Sequence, residues 1–154
     1  MKVAIAAALA LTASPSLAAQ AVPANTNLTY DVPIVGNWSY ATTATGSEAT
    51  FTDSASRPQL TIRCTRATRR IAIAKAASVA APYIWVWTSS QVKNVPATYD
   101  ATTAQVVGDV AAFDPLLDAI ASSRGRVGFS TSGLAALVVP PWADVGRVIE
   151  DCRV

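Results

Sequence analysis

The chain has 154 residues, of which 51% are hydrophobic and 14% are charged, and its formal net charge is +2. This length and hydrophobic content suit one domain that buries a substantial core. The chain contains no histidine, which excludes Ser-His-Asp and Cys-His catalysis and nearly every metal site built on imidazole. It also has no glycine-rich phosphate loop, so we expect no metal and no other cofactor.

The first 21 residues have the order of a secretory signal peptide. Met1 and Lys2 give a positive start, residues 3–11 are apolar, and small residues allow cleavage at positions from Ala18 to Ala21. The apolar run is about half of the roughly 20 residues that a spanning helix needs, and no later stretch is long and apolar enough to cross a bilayer. We therefore expect a periplasmic or secreted protein whose mature chain has no transmembrane segment.

Alternating apolar and polar residues predict a series of short strands after an extended lead-in over residues 22–36. The clearest strand covers residues 59–65, where Leu60, Ile62 and Cys64 share one face. The remaining strand candidates begin at residue 37 and continue at 48–52, 69–75, 83–88, 92–99, 105–110, 126–130 and 134–139.

Two of these strand candidates carry further expectations. In residues 83–88, apolar side chains occupy both faces, which is typical of a strand in the middle of a packed structure, so Trp85 and Trp87 are expected in the core. Residues 92–99 form a weaker candidate because Pro96 interrupts the run.

Two helices are predicted. Asp114 and Pro115 form a cap and first-position pair, followed by apolar residues at helical spacing. The last helix is expected to open at Pro141. Its apolar stripe consists of Trp142, Val145, Val148, Ile149 and Cys152.

The two cysteines, Cys64 and Cys152, lie far apart in the sequence, which in an oxidising compartment is typical of one structural disulfide. Both are expected to point inward, one from a strand and one from a helix. The predicted fold is mainly β with two helices (α+β): an antiparallel sheet or sandwich with the C-terminal helix packed on it. Residues 37–154 are expected to form this single disulfide-closed domain.

A serine and lysine pair offers one route to catalysis. Ser90 and Lys93 match the S-x-x-K motif, which needs a helix turn to bring the amine beside the hydroxyl. Here the motif lies in an extended region, and no K-T-G companion is present. A hydrolase built on this pair is therefore a remote alternative.

Residues 54–99 carry seven basic residues and no acidic residue. Four of the arginines form the candidate binding surface, whose expected partner is an acidic protein or an anionic envelope component. These arginines are Arg63, Arg66, Arg69 and Arg70. Nucleic acid is not an expected partner, because an exported protein rarely meets it.

Several short motifs follow one another in an order found in small exported proteobacterial proteins. They are Trp38, the strand from Leu60 to Cys64, the Phe113–Leu117 segment, Ser132-Gly133-Leu134 and the terminal Cys152. This order resembles the type VI secretion accessory protein family (TagO/VasI-like) and, more distantly, the invasion-associated locus B proteins. The acidic pair of the first family and the extra cysteines of the second are missing. The resemblance implies a periplasmic, non-catalytic accessory domain.

The sequence thus favours a non-enzymatic periplasmic or secreted binding domain that contacts proteins or the cell envelope. The alternative is an inhibitor of a secreted hydrolase, such as a lysozyme or a protease. An inhibitor would present a rigid loop.

Overall fold

Residues 27–154 are described by a computed structural model and form nine strands, two α-helices and one 3-10 turn. The predicted signal peptide and residues 22–26 of the predicted lead-in lie outside this range. The strands are β1 (Gly36–Thr43), β2 (Gly46–Asp53), β3 (Pro58–Thr65), β4 (Arg70–Ala76), β5 (Tyr83–Trp87), β6 (Val92–Asp100), β7 (Gln105–Ala111), β8 (Val127–Ser130) and β9 (Leu137–Val139). The helices are α1 (Pro115–Ala121) and α2 (Ala143–Arg153), and the 3-10 turn is Arg66–Thr68.

All nine strands belong to one antiparallel sheet in the order β1-β2-β3-β4-β7-β6-β5-β8-β9. The sheet curls into a half-barrel, and α2 packs on its concave face. The predicted mainly β architecture with a C-terminal helix on the sheet is confirmed, and the arrangement is a single curled sheet.

Strand β6 runs unbroken through Pro96, contrary to the expected interruption. Its first half, ending at Pro96, pairs with β5, and its second half, starting at Ala97, pairs with β7. Because the ladder to β5 ends at Pro96, the missing N–H of the proline removes little from the sheet.

The concave face is apolar because alternate strand residues point toward it. On β3 these residues are Leu60, Ile62 and Cys64, which are all buried. They meet the buried stripe of α2, formed by Val145, Val148, Ile149 and Cys152. The disulfide joins Cys64 to Cys152, with the two Cα atoms 5.5 Å apart, as the sequence predicted.

The predicted start of the last helix and the position of Trp142 were wrong. The helix begins at Ala143, and Trp142 is its N-cap residue with an extended backbone and 52% of its surface exposed. Pro140 and Pro141 favour extended conformations, so the chain turns into the helix two residues later than expected and leaves the indole outside the stripe.

Helix α1 begins as predicted. The carboxylate of Asp114 accepts a hydrogen bond of 2.9 Å from the backbone N–H of Leu116, and Pro115 occupies the first helical position. This is the usual arrangement of a helix N-cap.

The segment 27–35 has no regular strand and lies along the last strands of the sheet. Leu28 is fully buried against Gly128. A Cβ atom added at Gly128 would lie 2.0 Å from Cδ1 of Leu28, so the glycine makes room for this side chain. The N–H of Ile34 donates to the carbonyl of Val138 at 2.9 Å. The segment therefore links the two edges of the half-barrel, since it leads directly into β1 and bonds to β9.

The disulfide closes a long loop, so its loss should destabilise the fold strongly. We expect reduction, or the double substitution C64A/C152A, to lower the free energy of unfolding by about 4–5 kcal/mol. Urea denaturation with and without a phosphine reductant measures this loss. The reductant should have no effect on the double variant, and equal stability of the oxidised and reduced wild type would contradict the prediction.

Candidate functional site

Three aromatic side chains lie on the convex face of strand β5, where they form what we call the aromatic strip: Tyr83, Trp85 and Trp87. Trp85 and Trp87 are only partly buried, and Tyr83 is 42% exposed. The inward positions of the strand belong instead to Ile84 and Val86, which are fully buried. The expectation that the tryptophans lie in the core was therefore wrong. Both faces of β5 are apolar, and the smaller branched side chains are the ones that fill the concave side.

The strip has both polar and apolar neighbours on adjacent strands. Asn94 of β6 lies opposite Trp85, and Val92, which is 46% exposed, lies opposite Trp87. Alternate residues of a strand are roughly 6.6 Å apart, so the three aromatic residues extend over roughly 13 Å. At one edge of the strip, Trp87 lies opposite Gly128 of β8. The buried side chain of Leu28 packs against this glycine.

This geometry suits an elongated ligand with flat apolar faces. Tyrosine and tryptophan rings combine a large apolar surface with a polar group, and they offer much contact area at a low entropic cost. A convex face cannot enclose a small molecule, because concave sites are what bury most of a small ligand's surface. A polymer that lies along the strand can contact all three rings.

Two arginines of the predicted binding surface are held by acidic residues on neighbouring strands. Arg63 lies directly opposite Glu48, and its Nε donates to the Glu48 carboxylate at 2.8 Å. Arg70 forms an ion pair with Asp109 of β7. Each arginine keeps an exposed side chain, but its charge is balanced by its partner.

The other two arginines flank the tight connection between β3 and β4. The Nε of Arg66 donates to the backbone carbonyl of Asp151 at 3.3 Å. Arg69 has a left-handed backbone with φ of 49°, and within residues 27–154 its side chain has no ion-pair partner. The structure therefore separates the four predicted residues into two arginines in ion pairs, Arg66 beside Asp151, whose pKa its charge helps to lower, and Arg69, which has no ion-pair partner among the described residues.

The side chains of Ser90 and Lys93 are bound to different groups. The Nζ of Lys93 lies 2.6 and 2.8 Å from the two carboxylate oxygens of Asp114. The Oγ of Ser90 lies 3.4 Å from the hydroxyl of Thr88 in the turn between β5 and β6. Burial alone would raise the pKa of Asp114, but the hydrogen bonds from Lys93 and from the Leu116 N–H lower it overall.

Helix α2 carries a polar cluster that the sequence did not reveal. The hydroxyl of Tyr40 on β1 donates to Asp151 at 2.6 Å, and the guanidinium of Arg147 lies 3.9 Å from the centre of the Tyr40 ring. The hydrogen bond from Tyr40 lowers the pKa of Asp151. These contacts fix the orientation of α2 against β1, and spacing along the chain could not show them because the partners are 111 residues apart.

No protein-family model, curated protein or solved structure matches this chain at a significant level. The resemblance to secretion accessory proteins therefore stays a prediction. In the range from residue 27 to the C-terminus, no three acidic or cysteine side chains cluster so as to hold a metal ion. No helix in the same range is long and apolar enough to cross a membrane.

The division among the arginines can be tested through stability. Arg63→Glu places two carboxylates opposite each other on β2 and β3, so we expect the free energy of unfolding to fall by about 1 kcal/mol. Arg69→Glu breaks no ion pair and should change it by less than about 0.5 kcal/mol. Urea titration of both variants compares them, and equal losses would contradict the assignment.

Proposed function

We propose that this protein is an exported, non-enzymatic binding domain that contacts the cell envelope through the aromatic strip on β5. The observation that carries the proposal is the partial exposure of three aromatic side chains in a row on a convex sheet face. Monomeric proteins rarely leave contiguous apolar surface open unless it takes part in an interaction. The predicted leader and the disulfide between strand and helix support an oxidising location outside the cytoplasm.

The ligand class that fits the strip best is a glycan of the envelope. Sugar rings have flat faces of C–H groups that pack on aromatic rings, and their hydroxyls need polar partners beside the ring. The amide of Asn94 stands opposite Trp85 and supplies such a partner. A glycan chain is also elongated, which matches a strip of roughly 13 Å that Leu28 borders on the side of β8.

The arginine surface supports a second contact, with an acidic protein or an anionic envelope component. The residues available for it are Arg66 and Arg69, because Arg63 and Arg70 already form ion pairs. An anion that bound Arg63 or Arg70 would compete with a carboxylate held on the neighbouring strand.

The aromatic strip is tested by co-sedimentation with insoluble peptidoglycan. We expect the wild-type protein to bind, and Trp85→Ala and Trp87→Ala each to weaken binding by about tenfold, since one stacked ring contributes roughly 1–3 kcal/mol. Trp142→Ala is the matched control: it removes an exposed indole outside the strip and should leave binding unchanged. Circular dichroism confirms that each variant is folded.

The double substitution R66E/R69E tests the second contact in the same assay. If binding depends on the strip, this variant sediments like the wild type. Loss of binding in R66E/R69E with full binding by both strip variants would assign the contact to the arginines. Absence of wild-type binding, or equal losses in Trp85→Ala and Trp142→Ala, would reject the glycan strip.

A further inference from the structure

A lysine side chain lies in the interior of the half-barrel. Strand β4 points Ile71, Ile73 and Lys75 toward the concave face, and Lys75 is only 5% exposed. Lys75 is paired with Leu60 of β3 and with Val106 of β7, and both partners are buried. A charged amine therefore occupies a position where the neighbouring strands place aliphatic side chains.

No carboxylate balances this amine within the described part of the chain. The hydrogen bond of its Nζ in that range is a long one, 3.4 Å, to the carbonyl of the adjacent Ala76. The acid at the end of β2, Asp53, is bound by Arg57 and Gln59. Burial accordingly lowers the pKa of the Lys75 amine. Lysines are almost never this deeply buried without a partner, because removing an ammonium from water is costly.

Lys75 is the last inward side chain of β4, at one end of the half-barrel. Strand β4 ends one residue later at Ala76, and Ala77 and Ala81 in the connection to β5 are buried. The layer of residues in register with Lys75 extends across six strands and consists of Trp38, Phe51, Leu60, Lys75, Val106 and Tyr99. It combines one lysine with aromatic and aliphatic side chains.

We propose that Lys75 anchors a ligand site at this end of the half-barrel, for a small amphiphile with one carboxylate and an apolar body. The carboxylate supplies the missing counter-ion, since a buried charge is stabilised when it is paired. The apolar body matches the aliphatic and aromatic side chains around the amine. The site is on the concave side of the sheet, so it is independent of the aromatic strip on the convex side.

The small number of lysines gives a direct measurement. The chain has three, Lys2, Lys75 and Lys93, so the full-length protein labelled with ¹³C at lysine Cε gives at most three signals in NMR spectra. Octanoate should shift the Lys75 signal and raise the pKa of its amine, because a nearby carboxylate favours the ammonium form. The Lys93 signal should not move, since that amine is already paired with Asp114.

Octanol is the matched neutral probe, and Lys75→Met is the matched variant. We expect octanol to leave the Lys75 signal in place, and calorimetry to show at least about tenfold weaker octanoate binding to Lys75→Met, as for a lost charge-assisted hydrogen bond. An unchanged Lys75 signal in millimolar octanoate, an equal shift with octanol, or equal octanoate affinity of the variant would each overturn the proposal.

A second experiment, on the protein without ligand, tests whether the Lys75 amine is buried without a counter-ion. The folded protein releases the Lys75 proton at a lower pH than the unfolded chain, whose ordinary value is 10.5. The burial penalty is therefore complete below the folded pKa and disappears as the pH rises to 10.5. Lys75→Met should have the higher melting temperature at pH 7, with the difference shrinking toward pH 10.5.

The other titratable groups, including Tyr99 and Asp53, are present in both proteins, so their titration affects both melting temperatures equally. A melting temperature of Lys75→Met that equals the wild-type value at every pH would show that water already solvates the amine, and the site would lose its basis.

Discussion

The apolar concave face of the curled sheet must be shielded from water, and helix α2 shields it by packing on that face. A sheet of nine strands with one apolar face is stable only when that face is removed from water. Helix α2 presents Val145, Val148 and Ile149 to β1–β4, and the bond from Cys152 to Cys64 prevents the helix from leaving. The other features follow from this arrangement, because it decides which side chains of each strand are inside.

The two proposed sites depend on the same alternation of strand residues but lie on opposite sides of the sheet. On β5 the larger aromatic rings point outward and the branched side chains inward, which leaves the convex face available to a polymer. On β4 the inward series ends in Lys75, so the concave face holds a charge with no counter-ion in the described chain. The polymer is proposed for the convex surface and the small amphiphile for the concave side, because burial of a ligand requires concave walls.

The sequence predicted the features that depend on local patterns. Alternation located the strands, the Asp114-Pro115 pair located α1, and the inward periodicity of both cysteines predicted the disulfide. It could not decide between two apolar faces, which is why Trp85 was expected in the core. It also could not show that β6 changes partners at Pro96, because pairing is set by residues far away in sequence. The inward position of Lys75, by contrast, follows from its spacing of two from Ile71 and Ile73, a signal that was present in the sequence.

Residues 54–99 contain basic but no acidic residues, yet pairing between strands brings acidic residues from outside the segment next to most of these charges. Four of the seven basic residues meet acids that the sequence places outside the segment, so no large positive surface remains: the pairs are Arg57–Asp53, Arg63–Glu48, Arg70–Asp109 and Lys93–Asp114. Three cations of the segment, seven minus these four, form no ion pair with any described residue. Arg66 and Arg69 flank an exposed turn, where water solvates their charges at little cost. Lys75 is only 5% exposed, so a carboxylate that paired with its amine would replace solvation that burial has removed.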